Sequence, residues 1–87
     1  YQWAMMSNVS HELRTPLNAI ISSNDMSETS IWTIENNIDN MDLVKTQLQK
    51  LKKWNNTSKV SSKLLLHLVN DILDLGRLEN EAFKLNN

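Results

Sequence analysis

A histidine and a carboxylate stand side by side at His11 and Glu12, followed by Arg14, Thr15 and Pro16. An imidazole is neutral much of the time near neutral pH, so its ring nitrogen is nucleophilic, and a phosphoryl group is one electrophile it can accept. Glu12 could polarise the ring as a base or reach an incoming donor. On a helix, Thr15 lies one turn along on the His11 face, where its hydroxyl could orient a water beside a phosphorylated His11. Arg14, at the three-residue offset, could pair with a phosphate or with Glu12. Each residue also has a plainer reading. A lone histidine, glutamate or arginine on a helix surface is ordinarily a solvated side chain, and threonine before proline is ordinarily a conformational choice. Other chemistries fail on spacing. An H-E-x-x-H zinc pair needs a second histidine where Thr15 stands. No carboxylate pair, Gly-rich phosphate loop or Ser-His-Asp arrangement is discernible, and no metal site is expected. His67 lies away from the apolar phase of its own segment and reads as exposed, without a role.

The elements that must position these residues are helices. One Gly and one Pro in 87 residues leave too few turn residues for a sheet. From about Gln2, apolar positions Met6, Leu13, Leu17, Ile20, Ile31, Ile34, Ile38 and Met41 keep a three-four spacing, with Ser10, Asn24 and Ser27 filling the seam. His11 sits beside that stripe, so it is expected to be exposed at its edge. Pro16 removes a backbone donor and crowds the Glu12 carbonyl, but the stripe resumes at Leu17 and Ile20, which predicts a bend and not an end. Residues 22–30 are polar and poorly suited to a helix interior, and Asp25 with Glu28 could cap a fresh start. Residues 36–40 are the preferred turn. Paired asparagines tolerate left-handed backbone, and Asp39 or Asn40 can cap the second helix. The second arm carries its core phase at Leu51, Trp54, Ser58, Ser61, Leu65, Leu68, Ile72 and Leu75, with Val44, Leu48 and Leu78 also apolar. Residues 55–62 are a possible break, and Gly76 a place for fraying. The expectation is an all-α antiparallel hairpin, with helices at about 2–35 and 41–84 and a turn at 36–40. Each arm has a single apolar stripe, which a lone hairpin leaves partly wet. Two hairpins paired as a homodimeric four-helix bundle would cover it.

Composition bounds the partners. Lys+Arg 9 against Asp+Glu 10 gives no basic excess for nucleic acid or an anionic membrane. There is no cysteine, hence no disulfide framework or cysteine zinc site. No apolar run approaches the roughly 20 residues of a membrane helix, and no signal peptide is visible. The sequons at Asn8, Asn55 and Asn56 are read as chance in an Asn-rich chain.

Two segments resemble a known family. Residues 8–21, Asn-Val-Ser-His-Glu-Leu-Arg-Thr-Pro-Leu-Asn-Ala-Ile-Ile, are similar to the H-box of sensor histidine kinases. Residues 65–79 resemble the end of the second helix of the same dimerisation and histidine-phosphotransfer domain. The resemblance implies a hairpin that dimerises into a four-helix bundle. It implies that His11 accepts the γ-phosphoryl of ATP from a separate catalytic domain and passes it to a response-regulator aspartate. Glu12 would be the acid/base partner, Thr15 would assist dephosphorylation of the regulator, and Pro16 would be the bend. The receiver domain would dock on the face after the histidine, at Asn18, Ala19, Ser22, Ser23 and Met26. No cofactor would be bound by this stretch itself; ATP and Mg²⁺ would act through a separate catalytic domain, expected to be absent from these 87 residues, so they alone are expected to be substrate and scaffold and not a working kinase. The implied location is the cytoplasm, either free or as the cytoplasmic part of a membrane-bound sensor. The chain departs from the family in two places: the motifs stand about two heptads further apart than in the commonest pattern, and residues 22–30 are polar where the usual continuation is apolar.

Two other functions compete. One is a coiled-coil dimeriser with an inactive H-box, suggested by the polar interruptions. The other is a phosphorelay shuttle that charges its histidine from a receiver. The joint presence of His11, Glu12, Thr15 and Pro16 favours the kinase form over both.

Overall fold

The computed structural model describes the backbone of residues 2–86 and the side chains of residues 8–85. It is an antiparallel hairpin of α1, Gln2–Glu35, and α2, Met41–Asn86. The rod measures 71 × 18 × 13 Å between Cα extremes. Neither helix breaks where the sequence looked weak. α1 runs through Pro16 and through residues 22–30, and α2 through residues 55–62 and Gly76. Side-chain chemistry explains part of this continuity. The Thr29 hydroxyl donates to the Asp25 carbonyl at 3.2 Å, and the Thr33 hydroxyl to the Thr29 carbonyl at 2.9 Å. Bonded back to the preceding turn, these hydroxyls cease to compete for the backbone. The Asp25–Glu28 capping alternative is therefore not used.

The turn is built from asparagine side chains. Asn36 Nδ2 and the Asn36 backbone N–H both donate to the Trp32 carbonyl, at 2.8 and 3.0 Å. Asn37 Nδ2 donates to the Thr33 carbonyl at 2.8 Å and the Asn37 backbone N–H to the Ile34 carbonyl at 3.1 Å, so three of the open carbonyls at the end of α1 are satisfied. Asn40 Oδ1 accepts the Leu43 N–H at 3.2 Å and caps α2, with Asp42 following in its first turn. Left-handed backbone is not part of the explanation, because no residue among those described has a positive φ.

The seam between the helices differs in phase from the apolar stripe. The inward positions are Val9, Leu13, Pro16, Ile20, Ser23, Ser27, Ser30 and Ile34 on α1, followed by Asn37 in the turn. On α2 they are Val44, Gln47, Leu51, Trp54, Ser58, Ser61, Leu65, Leu68 and Ile72. Both sets keep an unbroken three-four alternation, the a/d pattern of a left-handed helix pair. Leu13, Ile20, Ser27 and Ile34 belong to the expected stripe. Ser10, Leu17, Asn24, Ile31 and Ile38 belong to that stripe too but not to the seam: they are exposed, and the residue before each takes the inward place. Leu48 is likewise displaced by Gln47, and Leu75 and Leu78 are exposed. Met6 lies outside the described side chains.

No large apolar side chain is fully buried among the described residues; besides Pro16, the buried positions are Ser23 at 2%, Ser30 at 3% and Gln47 at 8% exposure. The displaced apolar residues gather on one flank. With Leu13 and Val44 taken as position a, Leu17, Ile31, Ile38, Met41, Leu48 and Val69 fall at e, and Ile21, Leu66 and Leu73 at b. In an antiparallel pair the e and b positions of both helices lie on the same side, so these nine residues form one open apolar face. Total area agrees: a compact monomer of 10.1 kDa exposes about 5,300 Å², and the hairpin exposes 7165 Å².

Candidate functional site

His11 projects from α1 opposite the seam and is exposed, and so is Glu12 beside it. The two-residue offset from Leu13 and from Val9 puts His11 at the outermost heptad position, where a large donor can approach without displacing α2. Thr15 lies one turn further on, and its hydroxyl donates to the His11 carbonyl at 3.5 Å. A bond that long is weak and exchanges easily for water. Arg14 is exposed and makes no ion pair among the described residues.

Pro16 is buried in the seam. It leaves the Glu12 carbonyl without its usual intrahelical donor, directly beneath the His11–Glu12 pair. α1 continues past it, so the proline loosens the helix at the site without ending it.

Asn18 stands one heptad after His11 on the same outward stripe and is exposed. Ala19, Ser22 and Met26 come next on the flank opposite the large apolar face, with Ala19 half-buried and the other two open. Ser23 is different. It is an inward d position almost sealed against α2, because a three-four alternation carried down from Leu13 places it in the seam; it is not available to a docked protein. Two residues of α2 join the same flank without having been expected there: Val60 and Leu64 are exposed on it. Their signal is present in the sequence, since both are apolar yet outside the Leu51–Trp54–Ser58 phase.

His67 is exposed on the outer side of α2, with Nε2 3.6 Å from Asp71 Oδ2 one turn on. Arg77 and Asp74 make a similar surface pair at 3.6 Å. Pairs this open and this long contribute little. Trp54 is half-buried, its indole N–H is enclosed without an acceptor, and Lys53 Nζ sits 5.2 Å from its ring centroid.

The geometry is that of a helical hairpin offering one outward histidine with a carboxylate and a hydroxyl beside it. Comparison with known proteins gives the family of the sequence. Residues 4–81 match the family model of the His Kinase A (phospho-acceptor) domain. The chain is 40% identical over 81 residues to hybrid signal transduction histidine kinase G of Dictyostelium discoideum, an alignment covering 93% of this chain and 2% of that protein. It is 36% identical over 80 residues to the sensor histidine kinase RcsC of Salmonella typhimurium, covering 92% of this chain and 7% of that one. The chain thus spans a small part of the relatives it matches. No solved structure matches it. With nearly its whole length inside the family model, the chain belongs to the His Kinase A phospho-acceptor domain family.

Proposed function

We propose that the chain is the phosphoacceptor and dimerisation module of a sensor histidine kinase, with His11 as the residue phosphorylated. The observation that carries this reading is the placement of His11: fully outward on an unbroken helix, next to Glu12 and one turn from Thr15. ATP and Mg²⁺ would be held by a separate catalytic domain. A ring nitrogen of His11 attacks the γ-phosphorus; the N–P bond forms as the P–O bond to ADP breaks. The proton on the other ring nitrogen passes to Glu12, which restores a neutral phosphoimidazole. In the second transfer a receiver aspartate attacks the same phosphorus and the histidine leaves. Thr15 would exchange its long bond to the His11 carbonyl for a water and direct it at the receiver's aspartyl phosphate, where the water oxygen bonds to phosphorus as the P–O bond to the aspartate breaks, releasing inorganic phosphate. Asn18, Ala19, Ser22 and Met26, joined by Val60 and Leu64 of α2, would form the receiver's docking flank.

The open apolar face supports a homodimer, because a second copy presents the same face and closes a four-helix bundle. No helix among the described residues is long and apolar enough to cross a membrane, and the module would work in the cytoplasm. The test is to incubate the chain with a histidine-kinase catalytic domain and labelled ATP. Acid-labile label should appear on wild type and be absent from His11→Gln; equal labelling of the two would overturn the assignment.

A further inference from the structure

The charges of the hairpin are sorted by helix. α2 carries Lys45, Lys50, Lys52, Lys53, Lys59 and Lys63 with no acidic residue between Asp42 and Asp71. The matching half of α1 carries Asp25, Glu28 and Glu35 and no base. Within one chain this sorting is not used: neither Glu28, Glu35, Lys45 nor Lys52 has an ionic partner within 4 Å among the described residues. All four are exposed, and all four fall at heptad position b, on the rim of the open apolar face.

We infer that this rim is a charge-coded interface for a second copy of the chain, in which Glu28 and Glu35 of one subunit pair with Lys52 and Lys45 of the other. The inference rests on the homodimer proposed above and adds its geometry. Two symmetric arrangements bring the apolar faces together. If the turns lie at opposite ends, each α2 faces its own copy and the lysine rows oppose each other. If the turns lie at the same end, α1 of each subunit faces α2 of the other. In that second arrangement, Glu28 falls in height between the partner's Lys45 and the partner's Lys52, and Glu35 within about a turn of the partner's Lys45. The lean of helical side chains toward their own N-terminus helps further. Glu28 leans away from the turn and the partner's Lys52 leans toward it, so the two converge; Glu35 and the partner's Lys45 converge in the same way. Apolar residues agree with the pairing, since Ile31 and Ile38 come to the height of the partner's Leu48 and the partner's Met41. Opposite charges on the rim therefore favour one arrangement and like charges disfavour the other.

The experiment is a charge swap in the 87-residue chain, read by sedimentation with helicity checked by circular dichroism. E28K/E35K alone and K45E/K52E alone should each dimerise at least tenfold more weakly than wild type. Mixed, they should form a heterodimer within threefold of wild-type affinity, because both of its rims are again complementary. Wild-type dimerisation should weaken as salt is raised, and the neutral variant E28Q/E35Q should lose that salt dependence. A wild-type dimer with a mixture no tighter than either variant, or with a flat salt response, overturns the charge code and leaves the homodimer standing. A wild type that stays monomeric at millimolar concentration overturns both. Should a reversal variant unfold, E28Q/E35Q and the salt series decide the question by themselves.

Discussion

Replacing Ile31 by alanine tests whether the hairpin's stability resides on its open face. Ile31 is 46% exposed, beside the seam position Ser30. Fully burying an isoleucine side chain is worth about 2 kcal/mol, so covering the exposed half in a dimer contributes about 1 kcal/mol per copy and about 2 kcal/mol per dimer. Alanine also leaves a cavity between subunits, which raises the loss toward about 4 kcal/mol. At about 1.4 kcal/mol per tenfold, dimer affinity should fall by about 30-fold at the least and several hundredfold at the most. Sedimentation equilibrium across a concentration series measures this, with far-UV circular dichroism at high concentration to show that the hairpin still forms. Trp32→Ala is the control. Trp32 is larger and 63% exposed, but it lies on the outward stripe one heptad beyond Asp25 and away from the open face, so its loss should leave affinity within threefold. The reasoning fails if Ile31→Ala dimerises within threefold of wild type, or if Trp32→Ala weakens the dimer as much.

Other outcomes rest on single contacts. Asn40→Ala removes the acceptor for the Leu43 N–H and should cost about 1 kcal/mol, lowering the thermal midpoint by several degrees at fixed concentration, whereas Asn40→Asp should hold it. Trp54→Phe should unfold in urea within about 1 kcal/mol of wild type, because the lost indole area is offset by removing an enclosed N–H that has no acceptor; a loss above about 3 kcal/mol would mean that the N–H is paired after all. Thr15→Ala should leave labelling of His11 within twofold and slow dephosphorylation of the cognate receiver at least tenfold, measured as release of inorganic phosphate.

Much of the hairpin is legible in residue types, but not always for the expected reason. The asparagines at 36, 37 and 40 mark the turn because their side chains reach backbone carbonyls and an N–H, not because the backbone turns left-handed. The outward position of His11 comes from its offset from Leu13 and Ile20, which belong to both the stripe and the seam. The seam itself is harder to find. Apolar residues at Leu17, Ile31 and Ile38 pull the expected phase one residue too far at alternate positions. A sequence stripe records every surface that will be buried, whether by the same chain or by another, and cannot separate the two. Serines 23 and 30 are buried by geometry and not by their own hydrophobicity, so hydropathy does not find them. The docking residue Ser23 is misplaced for the same reason. Val60 and Leu64 belong to a different helix from His11, and only the packing of α2 against α1 brings them to its flank.

The placement of serine in the seam has a consequence for how the site is held. Near His11 the seam is apolar, with Val9 and Leu13 on α1 and Leu65 and Leu68 on α2. Toward the turn it changes to Ser23, Ser27 and Ser30 on α1, with Gln47, Leu51 and Trp54 among the seam positions in the turn half of α2. Small side chains let two helices approach closely, but such a seam buries little apolar area. Ile34, Val44, Leu51 and Trp54 of that half lie half-buried in the seam, while Ile31, Ile38, Met41 and Leu48 face outward on the open flank. The turn half of the hairpin therefore depends for stability on whatever covers that flank. The His11 half adds Leu17, Ile21, Leu66, Val69 and Leu73 to the same flank but has apolar seam layers of its own. Pro16 lies between the two halves, at the point where the helix ladder is already one bond short. The missing bond at Pro16 lets α1 yield next to His11 while the seam on either side of it stays in register.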